Sequence, residues 1–179
     1  MKLFFALDLS PIARNALSEY VPKVQTKLDR QGLKWVSAEK WHVTLVFLGD
    51  EDVEAVRELA AQALTGAKEV RLRVGSIDSF PDHKRPGVLW LGVESVKGDL
   101  NALYEALSAV LPGDREGFVP HITLGRMKPA STKLGHRLRD FMHSGAKPED
   151  IEWTVESVTL FNTKPDGAYE VVAEFPLQR

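Results

Sequence analysis

Apolar residues along the chain alternate between short dense runs and longer periodic stretches, the pattern of strands interleaved with helices. Leu3 to Leu9 is a Phe-rich run, and the Ser10-Pro11 pair after it supplies an N-cap and a first helical residue. Ala13, Leu17, Tyr20, Val21, Val24 and Leu28 then recur at helical spacing, with Pro22 inside the segment as a candidate kink and Gly32 placed to close it. Trp41 to Leu48, rich in Val, Thr and Phe and bounded by Gly49-Asp50, predicts a strand buried on both faces. Val53, Val56, Leu59, Ala60 and Ala63 form the stripe of a second helix ended by Gly66, and Val70, Leu72 and Val74 alternate as a strand. The first half reads β-α-β-α-β.

The order then returns: strand Val88 to Val93, helix near Asp99 to Val110, strand Val119 to Leu124, helix near Leu134 to Met142. A last pair of strands, Trp153 to Phe161 and Ala168 to Phe175, is joined through Pro165-Asp166-Gly167, a hairpin signal. Phe80 to Gly87 and Pro112 to Gly117 read as loops, too short for linkers. The expectation is one bilobal domain over residues 1–179, with repeats of about 1–80 and 87–179.

Composition narrows the function classes. With 44% hydrophobic and 27% charged residues the chain is expected to bury its own core. Asp8 interrupts the first apolar run before a signal-peptide core can form, and no later stretch approaches the roughly 18 apolar residues of a membrane span. A cytoplasmic protein with no membrane partner is the expectation. A formal net charge of −2 argues against wrapping long nucleic acid, which needs a broad basic surface, while leaving room for a local anion site. The chain has no cysteine, which excludes thiolate catalysis and a cysteine-ligated zinc.

The candidate chemistry lies in a duplication: His42-Val43-Thr44-Leu45 and His121-Ile122-Thr123-Leu124 stand at matching places in the two halves and use two of five histidines. Strand side chains alternate, so each strand presents an imidazole and a hydroxyl on one face. Packing alone has no reason to select histidine twice. If a pseudo-twofold axis relates the halves, the two pairs face one another across a cleft. In-line displacement at phosphorus needs a base at one end of the reacting axis and an acid at the other. Histidine, with an ordinary pKa of about 6.5, serves in either role, and threonine hydroxyls can donate to non-bridging phosphate oxygens. The two motifs alone do not decide which ring is acid and which is base.

With these residues the chain resembles the two-histidine phosphoesterase superfamily, and within it the bacterial RNA 2′,3′-cyclic phosphodiesterase (2′-5′ RNA ligase) family. The resemblance runs through Leu3-Phe4-Phe5-Ala6-Leu7, His42 to Gly49, Val88-Leu89-Trp90-Leu91-Gly92 and Pro120 to Arg126. It implies a LigT-like α+β fold, two antiparallel sheets flanked by helices in a bilobal pseudo-twofold arrangement, with the active site in the central cleft. It implies hydrolysis of RNA 2′,3′-cyclic phosphate to a 2′-phosphomonoester without metal or other cofactor, and a reversible 2′-5′ ligase reaction. In that scheme His42 is the proton donor to the departing 3′ oxygen, His121 the proton acceptor that activates water, and Thr44, Thr123 and Arg126 bind phosphate. The implied partner is RNA with a cyclic phosphate end, or a small cyclic nucleotide, with no obligate protein partner and a monomer as the default.

Arg126 lies five residues beyond His121, so strict alternation turns it away from the cleft unless the chain bulges at Gly125. Phe5, Trp90 and Phe161 are candidate surfaces for base stacking. His83-Lys84-Arg85 and the stretch Lys133, His136, Arg137, Arg139 are basic, the second explained by a solvent-facing helix stripe. Three other readings stand beside this one. They are a metallohydrolase adding Asp8 or Asp78 as ligands, a non-catalytic RNA-end or nucleotide-binding module, and a cyclic phosphodiesterase of another nucleotide.

Overall fold

The computed structural model describes residues 1–28, 33–113, 117–127, 131–144 and 147–179. Gly32 and residues 114–116 of the second loop lie outside the described residues.

Strand β1 (Lys2–Asp8) is buried from Leu3 to Leu7, as its uninterrupted apolar run requires of a strand covered on both faces. Helix α1 (Pro11–Leu28) follows, with the Ala13 N–H donating to Ser10 Oγ at 3.1 Å. A short strand β2 (Leu33–Trp35) and a single helical turn at Ala38–Lys40 lead into β3 (His42–Asp50). Helix α2 (Val53–Ala63) and the long β4 (Val70–Phe80) complete the first half. The second half holds β5 (Val88–Lys97), α3 (Leu100–Val110), β6 (His121–Met127) and α4 (Thr132–His143). Asp52, Asp99 and Ser131 cap α2, α3 and α4 by accepting from the backbone three residues on.

The strands do not form two sheets. Among the described residues one nine-stranded antiparallel sheet runs in the order β7-β4-β5-β6-β3-β1-β8-β9, with β2 pairing beside β6. The expected bilobal arrangement of two sheets about a pseudo-twofold axis is therefore corrected. β3 and β6 pair with each other, Val43 opposite Ile122, and that contact carries the sheet across the middle of the chain. Periodicity identifies strands but says nothing about which strand lies beside which.

A second correction explains the sheet's shape. Trp153 to Phe161, read as one strand, is divided at Glu156 into β7 (Glu152–Val155) and β8 (Ser157–Thr163). β7 pairs with β4 and β8 with β1, so five strands separate two that are joined by a single residue. In a flat sheet, at about 4.8 Å per strand, that gap would approach roughly 29 Å, far more than one residue spans. The sheet must curl into a half-barrel. β9 (Tyr169–Pro176) closes the expected hairpin with β8, and Gly167 holds the turn at φ +82°.

Leu3, Phe5 and Leu7 on one face of β1 join the core with Leu17, Val24 and Leu138 of the helices. α1 packs against α4, and α2 against α3. The other face of the sheet carries Phe4, His42, Thr44, His121 and Thr123, and there the cleft opens. Among the described residues no helix is long and apolar enough to cross a membrane.

Candidate active site

His42 and His121 are the first residues of the two central strands, so the β3–β6 pairing immediately after them sets them side by side. A cleft of about 310 Å³ is lined by both rings, by Thr44 and Thr123, and by Arg126. Phe4, Phe47, Tyr169, Thr163, Val36 and Lys40 complete its wall. The two matched pairs do converge.

Arg126 reaches the cleft by the device its spacing demanded. Trp90 lies opposite Thr123 but Leu89 lies opposite Gly125, so Leu124 is an extra residue on β6. That bulge shifts the alternation by one and returns Arg126 to the face of His121 and Thr123. β3 repeats it: Ala6 lies opposite Thr44 and Phe5 opposite Val46, leaving Leu45 extra. The residue so delivered is Phe47, five beyond His42, which is 59% exposed although large and apolar.

Both imidazoles are held by a backbone carbonyl. His42 Nδ1 bonds Lys40 O at 2.7 Å and His121 Nδ1 bonds Val119 O at 2.6 Å. A carbonyl only accepts, so Nδ1 carries the proton in each ring and Nε2 is left for chemistry. His42 Nε2 also meets Thr44 Oγ1 at 3.0 Å. Aromatic rings pack on each imidazole: Phe4 (5.1 Å between centroids) and Tyr169 (5.4 Å, edge-on) at His42, Phe80 (5.1 Å, edge-on) and Trp90 (5.5 Å) at His121.

Electrostatics separate the two. Burial pushes the His42 pKa down, opposed by the Lys40 carbonyl and by Asp8, with His121 and Arg14 adding to the depression. Burial also depresses His121, opposed by the Val119 carbonyl, and Arg126 lowers it further. Asp8 is the strand partner of His42, and its carboxylate is bonded to Arg14, whose guanidinium also donates to the carbonyls of Ala38 and Trp41. Arg14 thus grips the turn on either side of Lys40, whose carbonyl orients His42.

The aromatic expectations divide. Phe5 is fully buried on the core face beside Phe175, and its neighbour Phe4 occupies the cleft face. Trp90 lies against His121 at only 9% exposure, and Phe161 stacks on Phe4 at 5.3 Å, behind the cleft wall. Phe47, Tyr169 and Lys40 were missed. Alternation through the bulge signals Phe47, and Lys40 shares the parity of His42, but Tyr169 comes from a hairpin whose approach no local pattern records. Lys40 Nζ donates to Gly167 O at 2.8 Å and lies 5.6 Å from the Tyr169 ring centroid, tying that hairpin to the cleft.

The metallohydrolase reading loses its donor set. Asp8 is engaged by Arg14, and Asp78 Oδ1 accepts from the Ser79 N–H at 2.8 Å. Among the described residues no three His, Cys, Asp or Glu side chains gather as a metal site requires.

Residues 14–167 match the family model described as the 2′-5′ RNA ligase superfamily. The RNA 2′,3′-cyclic phosphodiesterase of Thermotoga maritima is 32% identical over 97% of this chain and 94% of its own length. That of Methanocaldococcus jannaschii is 27% identical over 98% and 100%. Among solved structures, TT0787 of Thermus thermophilus superposes with a TM-score of 0.75 at 29% identity, covering 99% of this chain and 98% of that one. Escherichia coli LigT complexed with 3′-AMP shares the fold at a TM-score of 0.68 and 19% identity, covering 99% and 98%.

Proposed function

The chain belongs to the 2′-5′ RNA ligase superfamily, and on that footing we propose that it hydrolyses RNA-terminal 2′,3′-cyclic phosphates to 2′-phosphomonoesters, with His42 and His121 as acid and base. The observation that carries this reading is the convergence of two His-Thr pairs and Arg126 on one cleft. A cyclic phosphate seated there has water on the His121 side and the 3′ oxygen on the His42 side. His121 Nε2 takes a proton from water as its oxygen bonds to phosphorus, and His42 Nε2 gives a proton to O3′ as the P–O3′ bond breaks. The phosphate stays on O2′. Thr44, Thr123 and Arg126 donate to the non-bridging oxygens and stabilise the charge that builds there.

The surroundings support this assignment of roles. Burial depresses both rings, but Asp8 opposes that at His42, against smaller effects of His121 and Arg14, which suits an acid, whereas Arg126 adds to it at His121, which suits a base. Neither step calls for a metal. A 5′-hydroxyl replacing water in the same displacement leaves a 2′-5′ linkage, which accounts for ligation at one site.

The test is an oligonucleotide ending in a 2′,3′-cyclic phosphate, incubated with the protein in excess chelator. A 2′-phosphate product is expected. A 3′-phosphate contradicts the polarity, and no product supports the non-catalytic module instead.

A further inference from the structure

Lys34 of β2 lies directly opposite Arg126 of β6, and both side chains are exposed. Like charges directly across a strand pair repel and weaken it. The sheet's other like-charged pair among the described residues, Arg71 of β4 opposite Lys97 of β5, is relieved by a carboxylate, since Arg71 Nε bonds Glu152 of β7 at 2.9 Å. Among the described residues neither Lys34 nor Arg126 has a carboxylate partner. Two cations are thus set side by side at the mouth of the cleft, uncompensated among the described residues. Partners opposite in a pair share a face, so Lys34 extends the Arg126 side of the cleft outward, and Val36, two residues along, already lines it.

We propose that Lys34 is an RNA-binding residue that, next to Arg126, takes the phosphodiester adjoining the terminal nucleotide. This rests on the function proposed above and adds a substrate class: an RNA chain with at least one internal phosphate, preferred over a mononucleotide. Arg126 serves the terminal phosphate, and Lys34 serves the next one. The anion relieves the repulsion between the two cations, and with a net charge of −2 the protein attracts RNA through this local pair and not through a basic surface. The opposite end of the cleft has Lys2 and Lys164 beyond Thr163, but Asp50 lies among them.

The test compares a nucleoside 2′,3′-cyclic monophosphate with a short oligonucleotide bearing the same end, on wild type, Lys34→Ala, Lys34→Glu and Lys164→Ala. For the oligonucleotide, Lys34→Ala raises KM about fivefold with kcat unchanged, and it flattens the salt dependence of kcat/KM by about 0.7 in log-log slope. Lys34→Ala leaves the mononucleotide rate within about twofold, while Lys34→Glu, whose carboxylate pairs with Arg126 across the strands, lowers the rate on both substrates. Lys34→Ala should melt no lower than wild type, since a repulsion is removed. In Lys34→Ala, equal losses on both substrates or no loss on the oligonucleotide, or a selective loss in Lys164→Ala instead, each overturns the proposal. A wild type inactive on both substrates overturns the function itself, a separate outcome.

Discussion

His42 and His121 share a four-residue motif, a place at the head of adjoining strands and an Nδ1 bond to the carbonyl two residues upstream, yet they are supported unequally. Around His42 the Asp8–Arg14 pair ties β1, the first turn of α1 and residues 38–41 into one clamp, and Thr44 Oγ1 meets the ring. Val119, whose carbonyl holds His121, is 44% exposed, and the cation next to that ring is Arg126. The bulges diverge too, one delivering Phe47 and the other Arg126. Identical motifs supply identical groups; what differs between the two rings is the set of charges placed beside them.

The largest expected effect treats the two rings alike: His42→Ala and His121→Ala should each lower kcat by about 10²- to 10⁴-fold on a cyclic nucleotide, with thermal stability little changed. Arg14→Ala then breaks the comparison on one side. It should cost about tenfold in kcat with little change in KM and move the His42 limb of the pH profile upward, since a cation is removed and Asp8 freed; Arg14→Lys should restore part of the rate.

The pH profile itself follows from burial. Both rings are depressed, so kcat/KM should be bell-shaped with both limbs below about 6.5, falling on the alkaline side as His42 loses its proton and on the acid side as His121 gains one. An anionic substrate favours both charged rings, so the kcat profile should sit at higher pH. Folding stability carries the matching sign: the contribution of neutral buried rings is present above about pH 6.5 and declines as pH falls, which a denaturant midpoint series can check. The smallest effect is expected at Phe47. Phe47→Ala should leave the melting temperature nearly unchanged because the ring is 59% exposed, while raising KM severalfold. Phe5→Ala, on the fully buried face of the neighbouring strand, should cost about 3–5 kcal/mol of stability.

The motif pair, the strand faces of His42, Thr44, His121 and Thr123, and the bulge at Gly125 were legible because alternation and glycine placement are local properties. Strand neighbours were not. Nothing near Val43 or Ile122 announces that they pair, and the division at Glu156 is written in which edges β7 and β8 reach, a fact of the whole sheet. The choice of Phe5 over Phe4 failed for the same reason: two adjacent phenylalanines point opposite ways, and only the register against Phe47 decides which meets the cleft. Arg14 went unnoticed because its partners lie 24 and 27 residues away in the chain.

In the proposed mechanism His42 serves the leaving group and His121 the nucleophile, and a substrate whose leaving group needs no proton tests that division directly. On a 3′-deoxynucleoside 2′-(4-nitrophenyl phosphate) diester, which has no vicinal hydroxyl to compete with water, His42→Ala should lose less than about tenfold in kcat while His121→Ala keeps a deficit of about 10²-fold or more. Equal deficits on that substrate, or a rescue of the His121 variant alone, would contradict it.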